Sequence, residues 1–355
     1  CYFQGKKELF KGLAIEQLEK EWKQYPVFHL DFNGKDFTQA GELEKTLQTF
    51  VETQELNYGR NPLANTLGDR FMAVLKAAHE KTGLGAVVLI DEYDKPLLDV
   101  LDSGLKTFDS EGNERLLEDR HREIMKGFYS VFKAADRDLK FVLLTGVTKF
   151  SQVSVFSGFN QPDDISMDDR YEALCGITEE ELYSVFDEQI KAMAARYKVS
   201  EDEMKYRLKR KYDGYHFSPS MLDIYNPFSL LNALDAQDLS CFWVSSGATS
   251  MLPKFVDNME LRLRNFENCP ILRKTLESSD VINGGAELFL YQTGYLTIKS
   301  SDEFGYFLGF PNQEVKQALY EVVLPSLTMK SESDIISLYG HTNQWLATFI
   351  GDDTG

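Results

Sequence analysis

VVLIDEYDKPLL, Val87–Leu98, sets a run of aliphatic residues directly against Asp91, Glu92 and Asp94. A short, uninterrupted apolar run rich in β-branched residues predicts a buried strand over Ala86–Ile90. Two other segments share that character. YPVFHLDF (Tyr25–Phe32), closed by Asn33-Gly34, and FVLL (Phe141–Leu144) each read as a strand. Apolarity that is continuous rather than alternating implies a parallel sheet covered on both faces by helices. The helices are also legible. Leu67, Phe71, Val74, Leu75 and Ala78 share one helical face, with Gly83 placed as a C-terminal cap, and a further helix is predicted near Arg120–Ala135. The first half of the chain is therefore α/β.

At 355 residues the chain is long enough for two or three domains. Apolar residues make up 43% and charged residues 26%, and no window approaches the roughly eighteen consecutive apolar residues of a membrane span, so no membrane role is expected. The net charge of −18 would repel a phosphate backbone unless basic residues gather on one face, and the basic run KYRLKRKYDGY (Lys205–Tyr215) reads as a solvated helix end. Cys1, Cys175, Cys241 and Cys269 show neither C-x-x-C spacing nor a companion histidine cluster. Reduced thiols in a cytoplasmic protein are the expectation.

In open α/β sheets ligands gather beyond the carboxyl ends of the strands, which is where Asp91 and Glu92 fall. In P-loop ATPases an apolar strand ending in Asp-Glu supplies two functions. The aspartate helps to hold Mg²⁺ through its water shell, and the glutamate orients and polarises the water that attacks the γ-phosphate. On this reading Asp91 is the metal and cofactor ligand and Glu92 is catalytic. Thr145, or failing that Thr148, stands at the end of a neighbouring strand, where a polar side chain can sense γ-phosphate and water. Asp94 and Lys95 are expected to stabilise the turn, with Asp94 in the metal's second shell. Against this stands an omission: the chain has no G-x-x-x-x-G-K-[ST] phosphate-binding loop. The expectation is that the loop precedes Cys1 in a longer parent, so that ATP and Mg²⁺ binding is weak or absent in this chain.

Beyond Cys175, GITEEELYSVFDEQIKAMAARYK places Thr178 and Glu181 in capping-box spacing, with Leu182, Val185, Phe186, Ile190, Met193 and Tyr197 on one face of a predicted helix. ELFLYQTGYLTIKSSDEFGYFLGFPN reads as two or three short strands turning at Ser300–Gly305. A helix from Asn312 to Leu324, closed by Pro325, follows. His216, flanked by aromatics in YDGYHFS, reads as a packed core residue rather than a general base.

Taken in order, GKKELFKGLAIE, YPVFHLDF, VVLIDEYDKPLLD, FVLLTGVTKFSQVSVFSGFN, LCGITEEEL, YDGYHFS with IYNPFSLLNAL, and LFLYQTGYLTIK with LGFPNQEV resemble the predicted AAA-ATPase-like family of anaerobic bacteria. The resemblance covers nearly the whole chain. It implies a truncated P-loop NTPase-like parallel sheet over residues 1–175, a helical region over 176–236, and a winged-helix-like region with the start of a further segment over 237–355. It supports Asp91 and Glu92 as the acidic pair, with Thr145 in the sensing role. It further implies ATP hydrolysis in the complete parent, which commonly carries a PD-(D/E)XK nuclease-like domain past the last matching stretch. An alternative is a nonhydrolysing scaffold whose winged helix binds protein or DNA. Nuclease chemistry at Asp91, Glu92 and Asp94 would lack the lysine-bearing strand such sites use. Arg60, Arg120 and Arg122 are equal candidates for an arginine finger.

Overall fold

The computed structural model describes residues 1–109, 111–149, 162–243, 266–278 and 284–328. They form two compact units, the first built on Cys1–Asp163 and the second on the residues that follow. The first unit runs α1 (Ala14–Leu18), β1 (Val27–Asp31), α2 (Glu42–Tyr58), α3 (Leu67–Thr82), β2 (Ala86–Asp91) and α4 (Lys95–Leu98). A hairpin of β3 (Lys106–Phe108) and β4 (Glu114–Leu116) leads to α5 (Leu117–Tyr129), α6 (Val131–Ala134) and β5 (Leu139–Leu144). Strands β1, β2 and β5 form a parallel sheet with β2 in the centre, in register Asp31↔Asp91 and Ile90↔Leu144. The fold is α/β, as read.

Each crossover carries helices because their apolar faces need the sheet. On α3, Phe71, Val74, Leu75 and Ala78 are all fully buried, Thr66 caps the start by accepting from the Asp69 amide, and Gly83 ends the helix in the left-handed conformation. Phe71 stacks on Phe128 of α5 at 5.0 Å and meets Phe28 of β1 edge-on at 6.1 Å. A buried ion pair ties α2 to α3, where Arg70 donates to both carboxylate oxygens of Glu55 at 2.9 and 2.7 Å.

The expectation that both sheet faces are covered holds only for β2. Strand β1 buries Phe28 and Leu30 but exposes His29 and Asp31, and Phe141 of β5 is 41% exposed. Among the described residues β1 and β5 are the outer strands, and an outer strand can settle one face on the core and leave the other half-wet. The helix near Arg120–Ala135 is two helices, α5 and α6, parted at Ser130.

The second unit begins with β6 (Ile177–Thr178), α7 (Glu179–Val185), α8 (Asp187–Tyr197), α9 (Glu201–Tyr212), β7 (Ile224–Tyr225) and α10 (Pro227–Ala236). The capping box on α7 is complete: Thr178 accepts from the Glu181 amide and the Glu181 carboxylate accepts from the Thr178 amide. What reads as one long helix is broken at Phe186, which leaves the helical region, and Val185 is 66% exposed rather than packed. Leu182, Ile190, Met193, Leu208 and Leu230 centre a helical core.

The unit continues with β8 (Cys269–Leu272), α11 (Arg273–Ser278), α12 (Gly285–Gln292), β9 (Thr297–Ser301), β10 (Gly305–Gly309) and α13 (Gln313–Thr328). Strands β8, β10 and β9 form an antiparallel sheet in that spatial order. ELFLYQ, read as strand, belongs to helix α12, which buries Leu288, Phe289 and Leu290. Asn312 caps α13 through the Val315 amide, as read, but the helix runs on to Thr328 past Pro325. Proline forfeits one intrahelical hydrogen bond, which need not end a helix. The expectations for residues 150–161 and beyond 328 lie outside the described residues.

Candidate functional site

Parallel pairing brings the carboxyl ends of β1, β2 and β5 to one edge of the sheet, and each ends in a polar side chain. Asp31, Asp91 and Thr145 follow Leu30, Ile90 and Leu144 respectively. Asp91 and Thr145 are in direct contact, the Thr145 hydroxyl donating to Asp91 Oδ1 at 2.5 Å. That same oxygen accepts from the Glu92 amide at 3.1 Å. Thr145 is positioned by its own amide, which donates to the Ile90 carbonyl at 2.9 Å. Both side chains are exposed at the sheet edge.

Glu92 turns the chain out of the strand with φ +50°, a conformation that costs a non-glycine residue about 1–3 kcal/mol. Partial burial pushes its carboxyl above the usual range, opposed by Lys95 and reinforced by Asp91, Asp94 and Asp31. Lys95 is itself held by Asp99, whose two oxygens lie 2.9 and 3.0 Å from the ammonium. Asp99 also accepts from the Phe37 amide at 3.2 Å, which anchors the loop after β1 to α4.

Asp94 does not join this group. It is 1% exposed, and its Oδ2 accepts from the amide and the hydroxyl of Thr148 at 2.5 and 2.9 Å. The expectation that it stabilises the turn therefore takes a specific form, and Thr148, the fallback for the sensing role, is engaged with Asp94. Asp31 is the residue that sequence reasoning missed. The signal was present, because HLDF ends an apolar run in an aspartate much as VVLID does, but a strand read as buried throughout gave no reason to single out its last residue. Asp31 Oδ1 accepts from the Asn33 amide at 2.8 Å.

Among the described residues no group of three or more His, Cys, Asp or Glu side chains is arranged to hold a metal ion. One exposed carboxylate beside a hydroxyl suits a hard cation that keeps most of its water and takes other oxygens from phosphate, rather than an all-protein cage. Asp91 fits Mg²⁺ in that limited sense. Of the arginine candidates, Arg120 pairs with Glu44 at 3.1 Å and Arg122 with Glu118 at 2.6 Å. In the second unit His216 is packed and bonded, as read. Its Nδ1 lies 2.6 Å from the Ile298 carbonyl and its Nε2 2.7 Å from Asp223. No helix among the described residues is long and apolar enough to cross a membrane.

Residues 1–156 match the family described as Predicted AAA-ATPase. The chain is also 31% identical over 326 residues to a protein of Azotobacter chroococcum mcd 1 described as "Uncharacterized protein in vnfD 5'region". That alignment takes in 91% of this chain and 59% of the relative, so the chain spans about three-fifths of the relative's length. No solved structure gives a significant match.

Proposed function

Since residues 1–156 match the family described as Predicted AAA-ATPase, we propose that the parent protein binds and hydrolyses ATP at the carboxyl edge of the β1-β2-β5 sheet. The observation that carries the proposal is the contact between Asp91 and Thr145 at the ends of adjacent parallel strands, with Glu92 at the left-handed turn that directly follows Asp91. Asp91 would hold Mg²⁺ through its water shell, and the bound ion would offset charge on the phosphate oxygens. Glu92 accepts a proton from the water that attacks the γ-phosphorus, and ADP leaves with the bridging oxygen. Its partial burial and acidic neighbours favour this role, since a carboxyl raised above the ordinary range is a stronger base. Thr145, bonded to Asp91, couples the orientation of that carboxylate to whatever its hydroxyl meets.

The phosphates need a cradle of backbone amides and a lysine, and the chain lacks the G-x-x-x-x-G-K-[ST] sequence that supplies one. We assign that grip to another part of the parent. Calorimetric titration should then show Mg·ATP binding to this chain weaker than about 1 mM. The complete parent should bind tightly, and Asp91→Ala should remove the Mg²⁺-dependent part of its affinity. Micromolar binding by this chain, or an unaltered Mg²⁺ dependence in the variant, counts against the assignment.

A second reading, a nonhydrolysing scaffold with a winged-helix-like partner-binding unit, draws support from the sheet order β8-β10-β9 with α11 and α12 between its first two strands in sequence. The features that would face DNA in such a unit are acidic or neutral. Helix α12 carries Glu287 and no lysine or arginine, and the β9–β10 turn carries Asp302 and Glu303. A protein partner suits this surface better than DNA, which requires basic contacts. Salt-dependent DNA binding would overturn that preference.

A further inference from the structure

Two loops leave the sheet edge, one after β2 carrying Glu92 and one after β5 beginning at Thr145. They are stitched together by hydrogen bonds additional to the one between Asp91 and Thr145. The Tyr93 amide donates to the Thr145 carbonyl at 3.0 Å, and the Tyr93 hydroxyl donates to the Thr148 carbonyl at 2.8 Å. Asp94 Oδ2 takes the Thr148 amide and hydroxyl. Its other oxygen, Oδ1, is buried and accepts no hydrogen bond of good geometry among the described residues. Gly146 lies against it: a Cβ there would collide with the Asp94 carboxylate and come within 2.8 Å of the Tyr93 ring. A glycine is thus required at position 146 for space, not for backbone conformation.

We propose that Asp94 is a positioning residue, a buried hydrogen-bond acceptor that locks the Glu92 turn to the Thr145 loop so that the two present their side chains as one rigid edge. The role rests on the ATPase reading of that edge. It differs from a place in the metal's surroundings, because the carboxylate is turned to the Thr148 loop, where Oδ2 serves as an acceptor. An amide at this position keeps the accepting oxygen and sets its NH₂ where Oδ1 accepts no hydrogen bond of good geometry. The carboxylate's charge is then dispensable, while its accepting oxygen and the space at Gly146 are not.

Amide exchange on the 355-residue chain and ATP hydrolysis by the complete parent test this with Asp94→Asn, Asp94→Leu and Gly146→Ala. The Thr148 amide should keep its protection within about threefold in Asp94→Asn. It should lose at least about tenfold in the other two variants, with Val88 and Leu89 of β2 unchanged. In the parent, Asp94→Leu and Gly146→Ala should lower kcat at least about tenfold with KM for ATP within about twofold, and Asp94→Asn should restore kcat to within about threefold of wild type. If Asp94→Leu does not fold, Gly146→Ala carries the comparison. An Asp94→Asn parent as impaired as Asp94→Leu would show that the charge matters and overturn the proposal, as would Thr148 protection that survives loss of the carboxylate. Hydrolysis that all three variants leave untouched overturns the positioning role alone. A wild-type parent without hydrolysis overturns the ATPase reading instead, and the exchange result still decides whether the lock exists.

Discussion

Replacing Asp213 with asparagine should stabilise the second unit at neutral and alkaline pH and leave it unchanged in acid. Asp213 follows α9, is 2% exposed, and among the described residues neither of its carboxylate oxygens accepts a hydrogen bond of good geometry. Lys209 stands 3.7 Å away, but its ammonium is nearer to Asp223 and Glu179, each at 3.2 Å. Burial therefore pushes the Asp213 carboxyl up to about 6, against the pull of the Gly214 amide and Lys209. The unfolded chain releases this proton near 3.8, whereas the folded chain holds it until about 6. Folding thus loses free energy as pH rises through that window, and above it the loss levels off at about 3 kcal/mol. Asparagine has no proton to lose. Urea unfolding at pH 3.5, 5, 6.5 and 8, read by amide exchange in α9 and corrected for intrinsic rates, should show the variant gaining up to about 3 kcal/mol at pH 8 and nothing at pH 3.5. Parallel pH profiles for the two proteins, or a variant less stable than wild type at pH 8, would refute the reasoning.

Arg70→Ala leaves Glu55 buried without its bidentate partner and should cost the first unit about 3–5 kcal/mol, measurable as a lower urea midpoint; a loss under about 1 kcal/mol would place the pair among surface ion pairs. His121 is fully buried, with Nδ1 2.8 Å from the Pro96 carbonyl and Nε2 without a hydrogen-bond partner among the described residues, and burial lowers its pKa. The unfolded chain then takes up this proton first, so His121 should make the first unit lose stability as pH falls below about 6.5, and His121→Gln should flatten that part of the acid-unfolding curve. Thr178→Ala removes the capping-box hydroxyl of α7 and should raise amide exchange in its first turn, at a cost of about 1 kcal/mol.

The parts of the site that are local in sequence were legible, and the parts that depend on distant partners were not. Strand β2 and its terminal acids follow from an apolar run ending in charge, and the α7 and α13 caps follow from residue spacing. The left-handed turn at Glu92 leaves no sequence signal, because neither glycine nor asparagine marks it. Asp94 resembles any turn aspartate until Thr148, fifty-four positions away, is seen to supply its hydrogen bonds. Asp31 joins the edge through parallel register with Asp91, which no local pattern announces. Helix α12 reads as strand because Leu288, Phe289, Leu290 and Tyr291 form one apolar block with no period of either kind, and tertiary burial decided it. Helix α8 begins afresh after Phe186 although the apolar spacing runs on, so periodicity merged two helices into one.

The most direct measurement is ATP binding and ATP turnover, made side by side on the complete parent, wild type and Glu92→Gln. The substitution preserves shape and removes the ionisable carboxylate that Glu92 offers the attacking water. Binding should stay within about twofold while turnover falls by about 10²-fold or more. Turnover that survives the substitution unchanged would contradict the assignment of Glu92 and, with it, the reading of the β2 sheet edge as a hydrolytic site.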